Sequence, residues 1–309
     1  TFTVAGGTYL VCVNGTDNLL LYNGSTWQSI TGSSTPISIT GISSTATLNS
    51  VTPYQGRLWF VQENSLNAWY LPPIQVGGAI VEFPIGQVFK RGGYLVDIIT
   101  WTMDNGSGPE DTLVFISSEG EAAVYKGTDP STAGSFFLVG VYYIGEPVGS
   151  RCAFKFGGDL LILTQTGLFP MLKALASAVL DRKALVSNKL DLLFSQYTSL
   201  YGNNFGWQGL VVPSQNMLLV NIPITTDYSI QLCMNTVTQA WTLFTGWQAN
   251  CWEVWQGNLY FGGKGFAAKA LVGYDDFGAN INCYAKQAFN RFGSAFQKHV
   301  KIEGIQTPD

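Results

Sequence analysis

Apolar residues in this chain come in runs of about four to six, each bounded by Gly, Asn or Asp, and a helical period is rare. Six times, one such run leads through a turn into a second. The first pairs are Gly7–Val13 with Asn18–Tyr22, Gly56–Val61 with Leu66–Leu71, and Asp111–Ile116 with Glu121–Tyr125. The others are Gly158–Leu163 with Gly167–Met171, Asn216–Val220 with Ile230–Met234, and Gly257–Phe261 with Ala267–Val272. Leu10, Leu58, Leu113, Leu160, Leu218 and Leu259 hold matching places, at steps of 48, 55, 47, 58 and 41 residues. The mean step of about 50 residues is the length of one four-stranded propeller blade.

A small antiparallel sheet cannot cover both of its faces alone, and stacking six of them in a ring does so while leaving only short edges. The pattern therefore predicts an all-β fold, a β-propeller of about six blades over residues 1–278. Two successive β-sandwiches would also use short strands, but the blade-length spacing favours the propeller. Trp27 and Trp241 each follow a strand and a polar turn, so each is expected to open a further strand. Asn-Gly at 14–15, 23–24 and 105–106 suits two-residue hairpin turns with positive φ. The same asparagines (Asn14, Asn23, Asn105) match glycosylation sequons, and turn chemistry is the reading preferred for them.

One stretch, about 172–202, breaks the β pattern and predicts an inserted amphipathic helix. Ser187 is placed to cap it. Leu190, Leu193, Phe194, Tyr197, Leu200 and Tyr201 would form its apolar face, and Gly202-Asn203 would stop it.

Composition narrows the class. Charged residues make up 12% of the chain, about half the usual share, while 46% is hydrophobic and 14% aromatic. That excludes a disordered chain, and a net charge of −4 excludes a polyanion binder held by bulk charge. No apolar run is long enough to span a bilayer as a helix. The start Thr1-Phe2-Thr3-Val4 has neither a basic stretch nor an initiator Met, which suggests a processed or partial chain, and Asp309 reads as an arbitrary end. Five cysteines (Cys12, Cys152, Cys233, Cys251, Cys283) without a C-x-x-C pair suit free thiols made in a reducing cytoplasm.

Catalytic sets are hard to assemble. The one histidine, His299, lies in a basic stretch with Lys298 and Lys301 and has no clustered partners. Gly262–Gly265 lacks the second half of a phosphate loop, and Asp275–Gly278 spells D-F-G without any other kinase motif; both read as turns. Paired carboxylates would be the enzymatic route, with Asp104, Glu110, Asp111, Asp159, Glu253, Asp275 and Asp276 as candidates, mostly in turns where a solvated acid is the default. Trp247, Trp252 and Trp255 could stack on sugars, though strand tryptophans more often pack blades. The expectation is no enzyme, no cofactor, and no catalytic or metal residues.

The C-terminal third carries an ordered series: the helix with Ser187-Asn-Lys-Leu190, Asn216–Pro223, Asn235–Trp252, Asn258–Gly263, Gly273–Gly278, Ile281, and Gln287–Gly293 with Lys298. This series resembles the tail nozzle or head-completion proteins of short-tailed bacteriophages, the packaged-DNA stabilisation and tail tubular B-type proteins. The resemblance covers about residues 187–300 and is only architectural before that; it implies that residues 279–309 leave the propeller as a C-terminal β segment leading into a further β domain. It implies a structural virion protein, made in the host cytoplasm and built into the phage tail. Its copies would form a ring, usually a hexamer in that family, at the distal end of the short tail, with a tail adaptor ring and tail fibre or spike proteins as partners. The ring extends the DNA channel, retains the packaged genome and lets it out at infection. DNA would pass without sequence-specific binding, and low charge with few basic runs suits such a wall. Alternatives of other classes are a lectin-like carbohydrate-binding propeller and a glycosidase propeller.

Overall fold

A computed structural model describes residues 1–104, 109–176, 182–276 and 278–280. The chain forms two compact units, Thr1–Leu271 and Val272–Asp309. The first holds six antiparallel sheets, each a meander in chain order, and these are the six blades.

Blade one is β1 (Phe2–Val4), β2 (Gly7–Cys12), β3 (Leu20–Tyr22) and β4 (Trp27–Ser29). A short β5 (Ile39–Thr40) precedes blade two, which is β6 (Leu48–Tyr54), β7 (Arg57–Gln62), β8 (Ala68–Tyr70) and, after β9 (Gly78–Ala79), β10 (Val81–Phe83). β5 and β9 pair in parallel between the first two blades. Blade three is β11 (Leu95–Asp104), β12 (Pro109–Ser117), β13 (Glu121–Gly127) and β14 (Phe136–Tyr143). Blade four has three strands, β15 (Ala153–Phe156), β16 (Asp159–Thr164) and β17 (Gly167–Pro170). The helical insertion follows, with α1 (Met171–Ala176) and α2 (Asp191–Tyr201). Blade five is β18 (Gln208–Val212), β19 (Met217–Pro223), β20 (Ser229–Asn235) and β21 (Trp241–Thr245). Blade six has β22 (Cys251–Trp255), β23 (Asn258–Gly263) and β24 (Phe266–Lys269). The paired runs of the sequence are the second and third strands of the six blades, and Trp27 and Trp241 open β4 and β21 as expected. In the second unit, β25 (Asp275–Asp276) and β26 (Ala279–Asn280) make a hairpin, and Asp275 accepts from the Gly278 N–H.

The core lies between blades. Leu58 and Phe60 pack toward blade one, whereas Trp59 and Val61 of the same strand pack toward blade three. Leu113, Val114, Phe115 and Ile116 alternate likewise and are all fully buried. A strand covered on both faces needs an unbroken apolar run, which is why these segments show no polar alternation. Each such side chain contributes about 1.5–3 kcal/mol by leaving water.

Successive first strands approach one another. Thr52 donates to the Ile98 carbonyl (2.6 Å), and Arg151 and Gln208 form a parallel bridge. Gly209 of β18 lies flat on Phe154 of β15, where a Cβ would come within 2.0 Å of the ring. Gly209→Ala is therefore expected to cost about 1–3 kcal/mol through overpacking. Urea denaturation of the two proteins checks this, and an unchanged midpoint would mean that Phe154 yields freely.

Two local expectations need correction. Asn14-Gly15 and Asn23-Gly24 are not two-residue hairpins. Only the glycines take positive φ, and each asparagine Oδ1 instead accepts two backbone N–H groups within a longer loop. Two-residue turns with both φ positive occur at Gln55-Gly56 and Gln256-Gly257, between the first two strands of blades two and six. Ser187 does not cap α2, because its Oγ accepts the Leu168 N–H and ties it to β17. The helix starts at Asp191, whose carboxylate accepts the Leu192 N–H. Of the expected apolar face, Phe194 is buried, while Leu200 is exposed. Asn105, Cys283, His299 and residues 281–309 lie outside the described residues, as does part of the insertion (177–181).

Candidate functional site

Five first strands, β6, β11, β15, β18 and β22, bring a small set of polar groups into a largely apolar molecule. A cavity of about 480 Å³ lies along four of them and is lined by Asp97, Arg151, Lys155, Gln208 and Glu253, among others. Asp97 sits at an irregularity of the β11–β12 register and accepts from Ser50 Oγ and the Ile98 N–H, each at 2.9 Å. Burial pushes its carboxyl up to about 7, and those two hydrogen bonds only partly oppose the shift. The buried Cys152 thiol is also raised, mainly by burial and further by the Asp97 charge. Arg151 donates to the Asn250 carbonyl at 2.7 Å and lies over the Phe205 ring at 5.3 Å, while Lys155 donates to Thr100. The lining is mixed in charge, with two acids facing two bases.

A second cavity, about 600 Å³, lies at the leading ends of the first strands and reaches the insertion. Tyr94, Phe205, Glu119, Glu146, Asn203 and Asn49 contribute to its wall. Tyr94 and Phe205 are exposed, and Asn49 Oδ1 is buried there without a hydrogen-bond partner. Two aromatic rings beside acids and amides are a chemistry that can hold a polyhydroxylated ligand.

Between blades five and six, Asn221 is fully buried and saturated. Its amide donates to the Gly206 and Ala249 carbonyls, and its oxygen accepts from Gln231 and the Trp252 indole, all within 3.0 Å. Gln231 lies opposite it across β19–β20 and reaches the Trp247 carbonyl. Gln208 extends the set by bonding both the N–H and the carbonyl of Trp252. Neither Asp97 nor Asn221 drew notice in the sequence; the signal was one polar residue inside an apolar run (Leu-Val-Asp-Ile-Ile, Leu-Leu-Val-Asn-Ile).

The carboxylates singled out by sequence do not converge. Glu110 pairs with Lys126, Asp111 accepts from Thr102, and Asp159 accepts from the Leu160 N–H and from the Leu172 N–H at the start of α1. Burial raises the Asp159 pKa, against the two backbone hydrogen bonds and Lys173. Asp275 closes its own turn, and the side chains of Asp104 and Asp276 lie outside the described residues. Among the candidates whose side chains are described, Glu253 lines the cavity that Asp97 also lines. Trp247 and Trp252 pack on each other (5.3 Å between rings) and on Phe261, as blade-packing residues do, whereas Trp255 is exposed. Lys264-Gly265 is the turn between β23 and β24. No group of three or more His, Cys, Asp or Glu stands together among the described residues. No described helix is long and apolar enough to cross a membrane.

The sequence matches no family model and no curated protein. It is similar to several solved structures. One is a provisional 6-phosphogluconolactonase of Bacteroides fragilis, at 11% identity and TM-score 0.47, covering 87% of this chain and 82% of that one. An Aleuria aurantia lectin mutant bound to α-methyl-L-fucoside matches at 13% identity and TM-score 0.40, covering 88% and 90%. A second structure of that lectin, a six-bladed propeller with fucose recognition, matches at 11% and 0.38, covering 85% and 86%. Likeness of this degree decides nothing about function, and the fold rests on the sheet order itself.

Proposed function

We propose that this chain is a structural subunit of a short-tailed phage tail, a propeller in the ring-shaped nozzle that extends the DNA channel, retains the genome and releases it. The observation that carries the reading is the ordered residue series over 187–300. Its described part takes in α2, blades five and six and the β25–β26 hairpin. Two further features support it. The candidate carboxylates Glu110, Asp111, Asp159 and Asp275 are held by Lys126, by Thr102, by the Leu160 and Leu172 N–H groups and by a turn of their own, and large apolar side chains such as Trp27, Trp255 and Leu243 stand on the surface. Permanent subunit contacts favour an uncharged, aromatic surface of this kind. Mass measurement and electron microscopy of the native particle test the proposal. A closed ring that labels at the tail tip is expected; a strict monomer without any virion partner sinks it.

A second reading is carbohydrate binding, favoured by the 600 Å³ cavity with Tyr94 and Phe205 beside Glu119, Glu146 and Asn203. α-Methyl-L-fucoside is a suitable first probe, followed by a glycan array. On this reading saturation transfer reaches the sugar, and Tyr94→Ala abolishes it. No transfer from any glycan removes the reading and leaves the nozzle untouched.

A further inference from the structure

Alternate side chains of a strand leave on opposite faces. Leu58, Leu113, Leu160, Leu218 and Leu259 occupy matching places in the second strands of blades two to six. Each is at most 3% exposed, in an apolar cluster shared with the preceding blade. Leu10 holds that place in blade one and is 39% exposed. Its neighbours Tyr9 and Val11 point the other way and pack toward blade two. Strand pairing puts Cys12, Leu20, Tyr22 and Trp27 on the same uncovered face as Leu10.

Blade six shows the complement. Trp252 and Val254 pack toward blade five, so Cys251, Glu253 and Trp255 share the opposite face, with Tyr260 paired beside Glu253. Trp255 is 59% exposed. Each open face thus presents a tryptophan beside a tyrosine, Tyr22–Trp27 at 4.9 Å and Trp255–Tyr260 at 6.0 Å. Among the described residues, no apolar cluster joins blade six to blade one, whereas every successive pair shares one.

We propose that these faces are the two halves of one interface between copies, blade six of one chain docking on blade one of the next. A rear blade face against a front blade face is the contact this chain already makes between all its successive blades, so a second copy supplies the shape each end lacks. Charge raises no obstacle: the blade-one face has no ionised side chain in its strands, and on the blade-six face Glu253 and Lys269 flank Tyr260 with opposite signs. Trp–Tyr pairs are also the usual anchors of protein interfaces. Such a contact is head-to-tail, and it generates a ring when its rotation closes. The inference deepens the assembly reading above and rests on it.

Two native cysteines report on the idea, since Cys12 lies on one face and Cys251 on the other. In full-length protein carrying Cys283→Ser, a short bismaleimide should give a covalent ladder. Cys12→Ala or Cys251→Ala alone should give none, and a mixture of the two variants should give dimers only. Trp27→Ser and Trp255→Ser should each weaken association roughly tenfold or more while circular dichroism stays unchanged. A link confined to single chains overturns the proposal, as does a ring whose mass survives both tryptophan changes. A ring that assembles without the Cys12–Cys251 link keeps the nozzle reading and removes this interface, whereas a monomer removes both.

Discussion

Asn221→Ala should lower the stability of the first unit by about 3–4 kcal/mol. The substitution leaves the Gly206 and Ala249 carbonyls and the Trp252 indole N–H without their partner in a site closed to water, while Gln231 keeps Ser229 and the Trp247 carbonyl as acceptors. Each buried group left unsatisfied costs about 1–3 kcal/mol, with partial relaxation keeping the sum below the simple total. Asn221→Asp should also destabilise, since a carboxylate would face two carbonyl oxygens where an amide now donates. Urea denaturation followed by tryptophan fluorescence measures both, because Trp247 and Trp252 adjoin the site. A loss under about 1 kcal/mol for the alanine variant would show that water enters and replaces the amide.

The second large effect concerns Asp97. Its carboxyl ordinarily titrates at 3.8 and is held at about 7 by burial in the folded chain. Between those values the native state keeps a proton that the unfolded chain has released, so this residue makes stability fall as pH rises from about 4 to 7, then level off. In the variant Asp97→Asn the side-chain amide oxygen still accepts from Ser50 and Ile98 but carries no charge. Relative to wild type, the variant should therefore gain about 2–4 kcal/mol between pH 4 and pH 8. The quantity to measure is the difference in unfolding free energy between the two proteins across that range. If it stays constant, the carboxyl titrates like an exposed one.

Much of the blade plan was legible in the primary structure. Strand pairs covered on both faces must be apolar throughout, and the leucine spacing located all six. What escaped detection had a physical cause. Asn221 and Asp97 are lone polar residues in apolar runs, and their partners lie on other strands or other blades, beyond any local pattern. Ser187 looked like a helix cap because a hydroxyl before an apolar period usually is one; a competing N–H from Leu168 takes its oxygen instead. Asn23 suggested a two-residue hairpin, but its side chain closes a wider loop, and glutamines precede the glycines of the tight turns at 55–56 and 256–257. The cavities were equally hidden, since their walls are short segments that lie far apart in the chain, from the leading strands of several blades and from the insertion.

The Gln208 amide has a mechanical meaning. Its oxygen and nitrogen hold the N–H and carbonyl of Trp252 together, so one side chain serves as a missing strand residue between blades five and six. Drawing those blades apart loads both bonds at the same moment, and neither can peel ahead of the other. Under outward pressure the inner rim between these two blades would resist as a shear joint does, failing suddenly at a threshold rather than stretching open by degrees.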